Sequence, residues 1–380
     1  MRLFSLTIRV DRTLAALSFS TALCLGGAVA DPLGLPKVPV PADNPQTPEK
    51  IALGDKLFHD QRFSIDGTVS CATCHNDKKA FTDSPLRTSE GHNKLTGTRN
   101  APTVVNAAYF TTMFWDGRSS SLEDQSQFPM TNPVEMGLPN HDPVLKIVRE
   151  DPAYVDGFKK AFGKSGKDVT MDEVKKAIAA FERTVVSGDS PFDRWYFGGD
   201  ANAMSDQAKR GFNVFVGQGR CVSCHVVEQT QALFTDNRFH NIGVGINRIQ
   251  ADVPKLAGEF LKAKAAGADV DKAVLSDPKT SDLGRFAVTD GFDEIGGFKT
   301  STLRNIALTA PYMHDGSLKT LKDVVKHYNE GGKSPGDPNP VNPYLSGGIR
   351  PLNLTDQQID DLVAFMEALT SPSVVAAQKK

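Results

Sequence analysis

Cys71-Ala72-Thr73-Cys74-His75 and Cys221-Val222-Ser223-Cys224-His225 repeat one pattern: two thiols separated by two residues and followed at once by an imidazole. That spacing suits covalent attachment of a c-type haem, in which the thiols bond to two vinyl groups of the porphyrin and the histidine lies under the iron as its proximal ligand. Two such motifs in a chain of five cysteines imply two covalent haems and make electron transfer the first chemistry to explain. A thioredoxin-like redox pair lacks its surrounding βαβ pattern here. A zinc site expects ligand pairs much closer together in sequence.

The rest of the chain is consistent with such a protein. Arg2, Arg9 and Arg12 precede an apolar stretch from Leu14 to Val29 that closes on Ala28-Val29-Ala30, the pattern of a signal peptide over residues 1–30 cleaved before Asp31. Export to a bacterial periplasm is expected. Cys24 falls within the removed segment, and Thr21-Ala22-Leu23 is a poor lipoprotein box, so no lipid anchor is expected. The four remaining cysteines are all assigned to haem. No other apolar run approaches the ~18 residues needed to cross a bilayer, so the mature form is expected to be soluble, with no membrane span. The formal net charge of -2 becomes about -4 without the leader, which leaves no basic patch for nucleic acid. A small electron-carrier protein is the more natural partner.

The elements that must position the motifs read as helices. Ile51 to Phe58, Met171 to Phe181 and Thr355 to Leu369 carry apolar residues at helical spacing. Thr355 is the expected N-cap of the last, with Gln358 as its capping-box partner. Regular β alternation is scarce, so the fold class is mainly α, with long loops around cofactors. An internal repeat then organises the chain. Phe81-Thr82-Asp83, Arg99-Asn100, Trp115-Asp116-Gly117 and Ser121-Leu122-Glu123-Asp124 follow the first motif. Phe234-Thr235-Asp236, Arg304-Asn305, His314-Asp315-Gly316 and Thr320-Leu321-Lys322-Asp323 follow the second in the same order. Two cytochrome c-like domains related by internal duplication are expected, each with one haem, over 31–190 and 191–380. The Ile249 to Ser281 stretch has no counterpart in the first half, and its lysine- and alanine-rich composition reads as a solvated helical insertion, with a functional role as the alternative.

Beyond the haem motifs, Arg99-Asn100-Ala101-Pro102-Thr103, Phe114-Trp115-Asp116-Gly117-Arg118 and Asn132-Pro133-Val134-Glu135-Met136 carry a specific resemblance. Across nearly all of the mature chain the layout resembles the bacterial di-haem cytochrome c peroxidase and MauG family. That resemblance implies that the N-terminal haem binds hydrogen peroxide. The C-terminal haem then takes electrons from a small cytochrome c or cupredoxin and passes them on via Trp115. It further implies a distal glutamate at Glu135, twenty residues after Trp115, and a pocket shaped by Gln125 and Pro129, ten and fourteen residues after it. A carboxylate there can take a proton from bound peroxide and return it to the leaving oxygen, while a glutamine can orient the ligand without titrating. Read alone, Glu135 is a helix-terminal surface charge and Gln125 a capping residue. Their joint spacing favours the pocket.

Other assignments come from the same resemblance. Trp115 serves both as a core anchor and as a relay between the haems, whereas Trp195 is packing at the domain junction. His92 matches a loop histidine that caps the N-terminal iron, though a solvent-exposed loop histidine reads equally well. Asn100 matches the side-chain ligand of an interdomain calcium ion, or holds a turn. His240 lines the second haem, or is a buried hydrogen-bonded histidine. The sequence departs from the classical pattern at the second haem's distal ligand: Glu294-Ile295-Gly296-Gly297-Phe298-Lys299 lacks the usual methionine. Tyr312 and Met313 are the nearest candidates, and the tyrosine corresponds to the MauG-type ligand. No tryptophan immediately precedes the second CxxCH, where Gly217-Gln218-Gly219-Arg220 stands. Three functions follow: a periplasmic peroxidase, a MauG-like oxidase of a protein side chain or organic substrate, and a non-catalytic di-haem electron carrier. Family members are often homodimers.

Overall fold

The computed structural model describes residues 32–333 and 342–379. The expected leader and Cys24 lie outside the described residues. Helices dominate the described chain, and the only named strands among its residues are Phe239–His240 and Phe298–Lys299, paired antiparallel. No helix among them is long and apolar enough to cross a membrane.

Two helix pairs form the supports. In the first half, Pro48–Phe58 starts at Thr47, whose side chain accepts from the backbone amide of Lys50, and packs on Met171–Glu182, which opens with a Thr170/Glu173 capping box. In the second half, Asp206–Val216 packs on Asp356–Glu367, whose Thr355/Gln358 capping box is the one expected from sequence. Each pair crosses at a glycine for a steric reason. A Cβ on Gly54 would overlap the carbonyl of Ala177, and a Cβ on Gly211 would overlap the carbonyl of Asp361. Only the hydrogen side chain permits that backbone approach.

The buried apolar residues gather in separate clusters. Leu57, Phe58, Phe63, Val144, Tyr154, Phe158 and Ile178 belong to the first, and Phe192, Phe212, Phe215, Phe234, Leu362 and Phe365 to the second. Each fully buried aromatic or aliphatic side chain of this kind contributes about 1.5–3 kcal/mol. Trp195 packs edge-on against Phe212 with ring centroids 5.5 Å apart, so its structural role agrees with expectation.

Between the two halves, local geometry repeats at a constant register. Asn106 and Asn305 are both left-handed (φ 67° and 60°), as are Phe114 and Met313 (φ 64° and 75°). Thr103 donates to the carbonyl of Ala80 and Thr302 to that of Leu233. This register corrects one pairing expected from sequence: Asn305 matches Asn106, not Asn100. Arg99-Asn100 instead stands where the second half has Phe298-Lys299. The Arg-Asn dipeptides share composition by coincidence, whereas the left-handed turn is what the backbone needs at Asn106 and Asn305. The halves also exchange backbone hydrogen bonds, Asn100 N–H to the carbonyl of His314 (2.8 Å) and Lys299 N–H to that of Trp115 (2.7 Å).

The insertion departs most from expectation. Its helices Val253–Ala265, Val270–Ser276 and Pro278–Asp282 build a third apolar cluster from Val253, Ala257, Phe260, Val274 and Leu275 with Phe286 and Ile295. Val134 of the first half packs against that cluster. The lysines lie at the surface, as composition suggests, and so do most of the alanines, but Val253, Ala257, Phe260, Val274 and Leu275 form a buried face.

Candidate functional site

A single cavity of about 820 Å³ runs past both CxxCH motifs. The first motif's thiols occupy the short helix Cys71–Cys74, capped at Ser70, and the second begins on the single turn Cys221–Ser223. The chain after each motif bends back through a left-handed phenylalanine, Phe81 (φ 55°) or Phe234 (φ 53°). Such a backbone is costly for a bulky residue and is held where the surroundings demand it. Here it aims a carbonyl at the histidine. Nδ1 of His75 donates to the carbonyl of Phe81 (3.3 Å), and Nδ1 of His225 to that of Phe234 (2.9 Å). With Nδ1 engaged, Nε2 is the free nitrogen. Burial lowers the pKa of both rings, which keeps them in the neutral, ligating form. All four thiols are free, and burial pushes the Cys74 thiol up to about 12 and Cys71 further. Paired thiols beside an oriented imidazole on a largely apolar cavity fit a covalent haem at each motif.

The first-half wall is polar at three points. After Ser121 caps the turn Leu122–Gln125, the chain breaks and restarts as Phe128–Thr131 with Pro129 in its first turn. It then opens into Asn132-Pro133-Val134-Glu135, so Gln125, Pro129 and Glu135 all reach the cavity. Glu135 is half-buried, but its Oε2 is fully buried and has no hydrogen-bond partner. Burial, then the Asp271 carboxylate, pushes its pKa up to about 7, against the opposing pull of Arg118. Trp115 lines the same cavity and donates from Nε1 to the carbonyl of Asn100 (2.8 Å).

In the second half Tyr312 and Met313 both line the cavity, as does His240. Burial pushes the Tyr312 phenol up to about 12. His240 Nε2 lies 2.8 Å from Asp236, and these two with Cys224 bring three ligand atoms within 4.8 Å of one another. Its pKa is pushed up to about 9, first by the hydrogen bond to Cys224, against burial, and then by Asp236.

Two assignments find other surroundings. His92 does not line the cavity. It is buried behind the turn that carries Glu135, with Nε2 2.8 Å from the carbonyl of Pro133 and its backbone N–H donating to the carbonyl of Glu135. Nor is it the exposed loop histidine of the alternative reading. The Asn100 amide donates to the carbonyls of Arg87 (3.1 Å) and Leu86 (3.4 Å).

Sequence reasoning missed several groups around the cavity. Arg118, 6% exposed, sits 3.5 Å above the Phe114 ring and pairs with Asp116 and with Asp271 of the insertion. Glu182 lines the cavity with an unpartnered Oε2 and a pKa pushed up to about 8 by burial. Lys299, pushed down to about 7 by burial, donates to the carbonyl of Thr112 (2.6 Å). The adjacency of Arg118 to the Trp115-Asp116-Gly117 motif was a usable signal for the first. Nothing in an alanine- and lysine-rich helix singles out Asp271.

Comparison with known proteins agrees with this site. Residues 48–202 match the family profile "di-haem cytochrome c peroxidase". The methylamine utilization protein MauG of Methylorubrum extorquens is 38% identical over 332 residues, 87% of this chain and 81% of that protein. A cytochrome-c peroxidase, IdrP1, of Denitromonas iodatirespirans is 38% identical over 370 residues, 96% of this chain and 93% of that protein. Among solved structures, a MauG-like protein associated with microbial copper homeostasis superposes with a TM-score of 0.73 at 32% identity, covering 91% of this chain and 96% of that one. The chain belongs to the di-haem cytochrome c peroxidase and MauG family, whose cofactor is haem c, and is an oxidoreductase of the cytochrome c peroxidase type.

Proposed function

We propose that this protein reduces hydrogen peroxide to water in the periplasm, with electrons from a small redox protein entering at the second haem and reaching the first by way of Trp115. The observation that carries this reading is the trio Gln125, Pro129 and Glu135 on the first-half wall, with a buried carboxyl group whose pKa lies near neutrality. Cys71, Cys74 and His75 would hold one haem, and Cys221, Cys224 and His225 the other, within two domains that arose by duplication. When bound, the haems supply the iron that takes up peroxide and the path for electrons.

The residues of the chain do the rest. The overall balance is one peroxide, two electrons and two protons to two waters. Glu135, ionised, accepts the proton of the incoming peroxide at Oε2 and returns it to the departing oxygen, so one group serves as base and then as acid. The amide of Gln125 orients the peroxide without changing its own charge. The apolar remainder of the wall excludes bulk water, which strengthens each polar contact within. A calcium ion held through the Asn100 oxygen belongs to the same proposal, and the leader pattern at residues 2–30 supports the compartment.

A second reading, a MauG-like oxidase acting on a protein side chain or organic substrate, rests on the buried Tyr312. A phenolate ligand on the second haem favours ferric iron and the storage of oxidising equivalents. A mere electron carrier has no use for Glu135. Steady-state peroxide consumption with a reduced small cytochrome c separates these readings. The expected result is peroxide-dependent oxidation of the donor at turnover rates. Absence of donor oxidation, with peroxide still oxidising the protein, would move the chain to the second reading.

A further inference from the structure

The insertion belongs by sequence to the second half, yet its Leu275 lines the cavity and its Asp271 bonds to residues of the first half. Asp271 and Leu275 lie one turn apart on the helix Val270–Ser276, so they share a face. Asp271, 6% exposed, accepts from Nε of Arg118 (2.8 Å) and from the side-chain amide of Asn132 (2.7 Å). Asn132 heads the segment that ends in Glu135. Leu275 lines the cavity. A Cβ on Gly97, which also lines it, would meet Val134 at 3.8 Å and the carbonyl of Leu275 at 3.9 Å. Thr98 donates to the carbonyl of Val274 (2.8 Å), and Arg99 donates to the hydroxyl and carbonyl of Ser281 (2.6 and 2.9 Å). The helix Val270–Ser276 is therefore tied through Asp271 to Arg118 and to the segment that carries Glu135, and through the carbonyl of Val274 to Thr98, while Arg99 holds the next helix, Pro278–Asp282.

We propose that Leu275 is a specificity-determining residue that sets the size of the oxidant admitted beside Glu135, and that Asp271 is the positioning residue that holds it there. This rests on the peroxidase reading. An aliphatic side chain at the pocket wall leaves room for hydrogen peroxide and excludes an alkyl hydroperoxide. The pair of hydrogen bonds from Asp271 fixes the helix in register, because a buried carboxylate that loses either partner is left uncompensated. A pocket that differs by a few methylenes discriminates by roughly 10–200-fold.

The test uses the haem-loaded protein and two readouts. In turnover, Leu275→Ala is expected to raise kcat/KM for cumene hydroperoxide relative to hydrogen peroxide by about 10-fold or more. In optical titration of the ferric protein, Leu275→Ala is expected to tighten imidazole binding at the first haem and leave cyanide binding unchanged. Asp271→Ala should shift both ratios in the same direction, Asp271→Asn should shift them less, and Glu259→Gln on the exposed face of the insertion should shift neither. Unchanged ratios in folded Leu275→Ala would overturn the proposal, and the volume-conserving Leu275→Met guards against a folding failure. If the wild-type protein consumes no peroxide, the peroxidase reading fails, while the imidazole-to-cyanide ratio still decides whether Leu275 governs access.

Discussion

The first-half pocket and its second-half counterpart share a register and differ in what fills it. Leu122, Gln125, Ser126 and Pro129 line the cavity in the first half, and Leu321, Val324, Val325 and Tyr328 line it at the matching positions in the second. The caps are alike, Ser121 before one helix and Thr320 before the other. In the first half the helix stops at Gln125 and Pro129 begins a new turn, whereas in the second it runs unbroken from Leu321–Asn329. Breaking the helix opens space for a polar group, and continuing it fills the same space with Val324 and Tyr328. The supporting helices differ in the same sense, since Glu182 in the first pair occupies the register of Met366 in the second. Trp115 stands opposite His314, which stacks on Phe298 with ring centroids 3.6 Å apart. The first half thus sets two carboxyl groups, those of Glu135 and Glu182, against its cavity, and desolvating them costs free energy. Buried groups with shifted proton affinity concentrate where chemistry is done.

The most direct way to break this contrast is to disable one half. His75→Ala is expected to abolish peroxide turnover while the second haem remains attached and reducible, because each motif builds its own site. Reductive titration beside a turnover assay reads both, and full retention of activity would reverse the roles of the two halves. A smaller effect is expected at the distal wall. Glu135→Gln keeps the size of the side chain but not its proton exchange, so the step after peroxide binding should slow by ~100-fold or more in stopped-flow mixing. The sign of the pH dependence follows from the same group. Its pKa lies above the ordinary carboxylate range, at about 7, and only the ionised form acts as a base. Wild-type kcat/KM should therefore fall as pH drops through about 7, and the variant should lose that limb. An unaltered acid limb in Glu135→Gln would assign it to another residue.

The smallest expected change sharpens the second half. With Tyr312 as the distal ligand of the second iron, ferric protein lacks the weak near-infrared band of methionine ligation. Tyr312→Phe then alters the low-spin spectrum and raises that haem's potential, since an anionic oxygen donor stabilises ferric iron. Met313→Leu should change little. A methionine band that survives Tyr312→Phe and disappears in Met313→Leu would assign the iron to Met313 and bring the second half close to an ordinary electron-transfer cytochrome.

Much of this was legible along the chain because it is local. The CxxCH motifs, the capping boxes at Thr170 and Thr355 and the apolar faces of Met171–Glu182 and Asp356–Glu367 all depend on residues within a few positions of one another. Spacing from Trp115 likewise brought Gln125, Pro129 and Glu135 to one wall, since only twenty residues separate the ends of that segment. The pairing of Asn305 with Asn106 was not legible, because it turns on a left-handed backbone that several residue types can adopt.

What the sequence alone determined, then, is the cofactor chemistry and the helical supports, which follow from covalent spacing and from periodicity over single turns. Tertiary structure alone decided what surrounds Glu135. Asp271 lies 136 residues away in the chain, in a segment whose alanines and lysines suit a solvated helix, and only folding brings its carboxylate to Arg118 and Asn132. The position of His92 was decided in the same way, by a hydrogen bond to Pro133 that draws the ring behind the wall and away from the cavity. In both cases the deciding contact joins groups far apart in sequence. Their mutual burial, rather than any local preference, sets their environment.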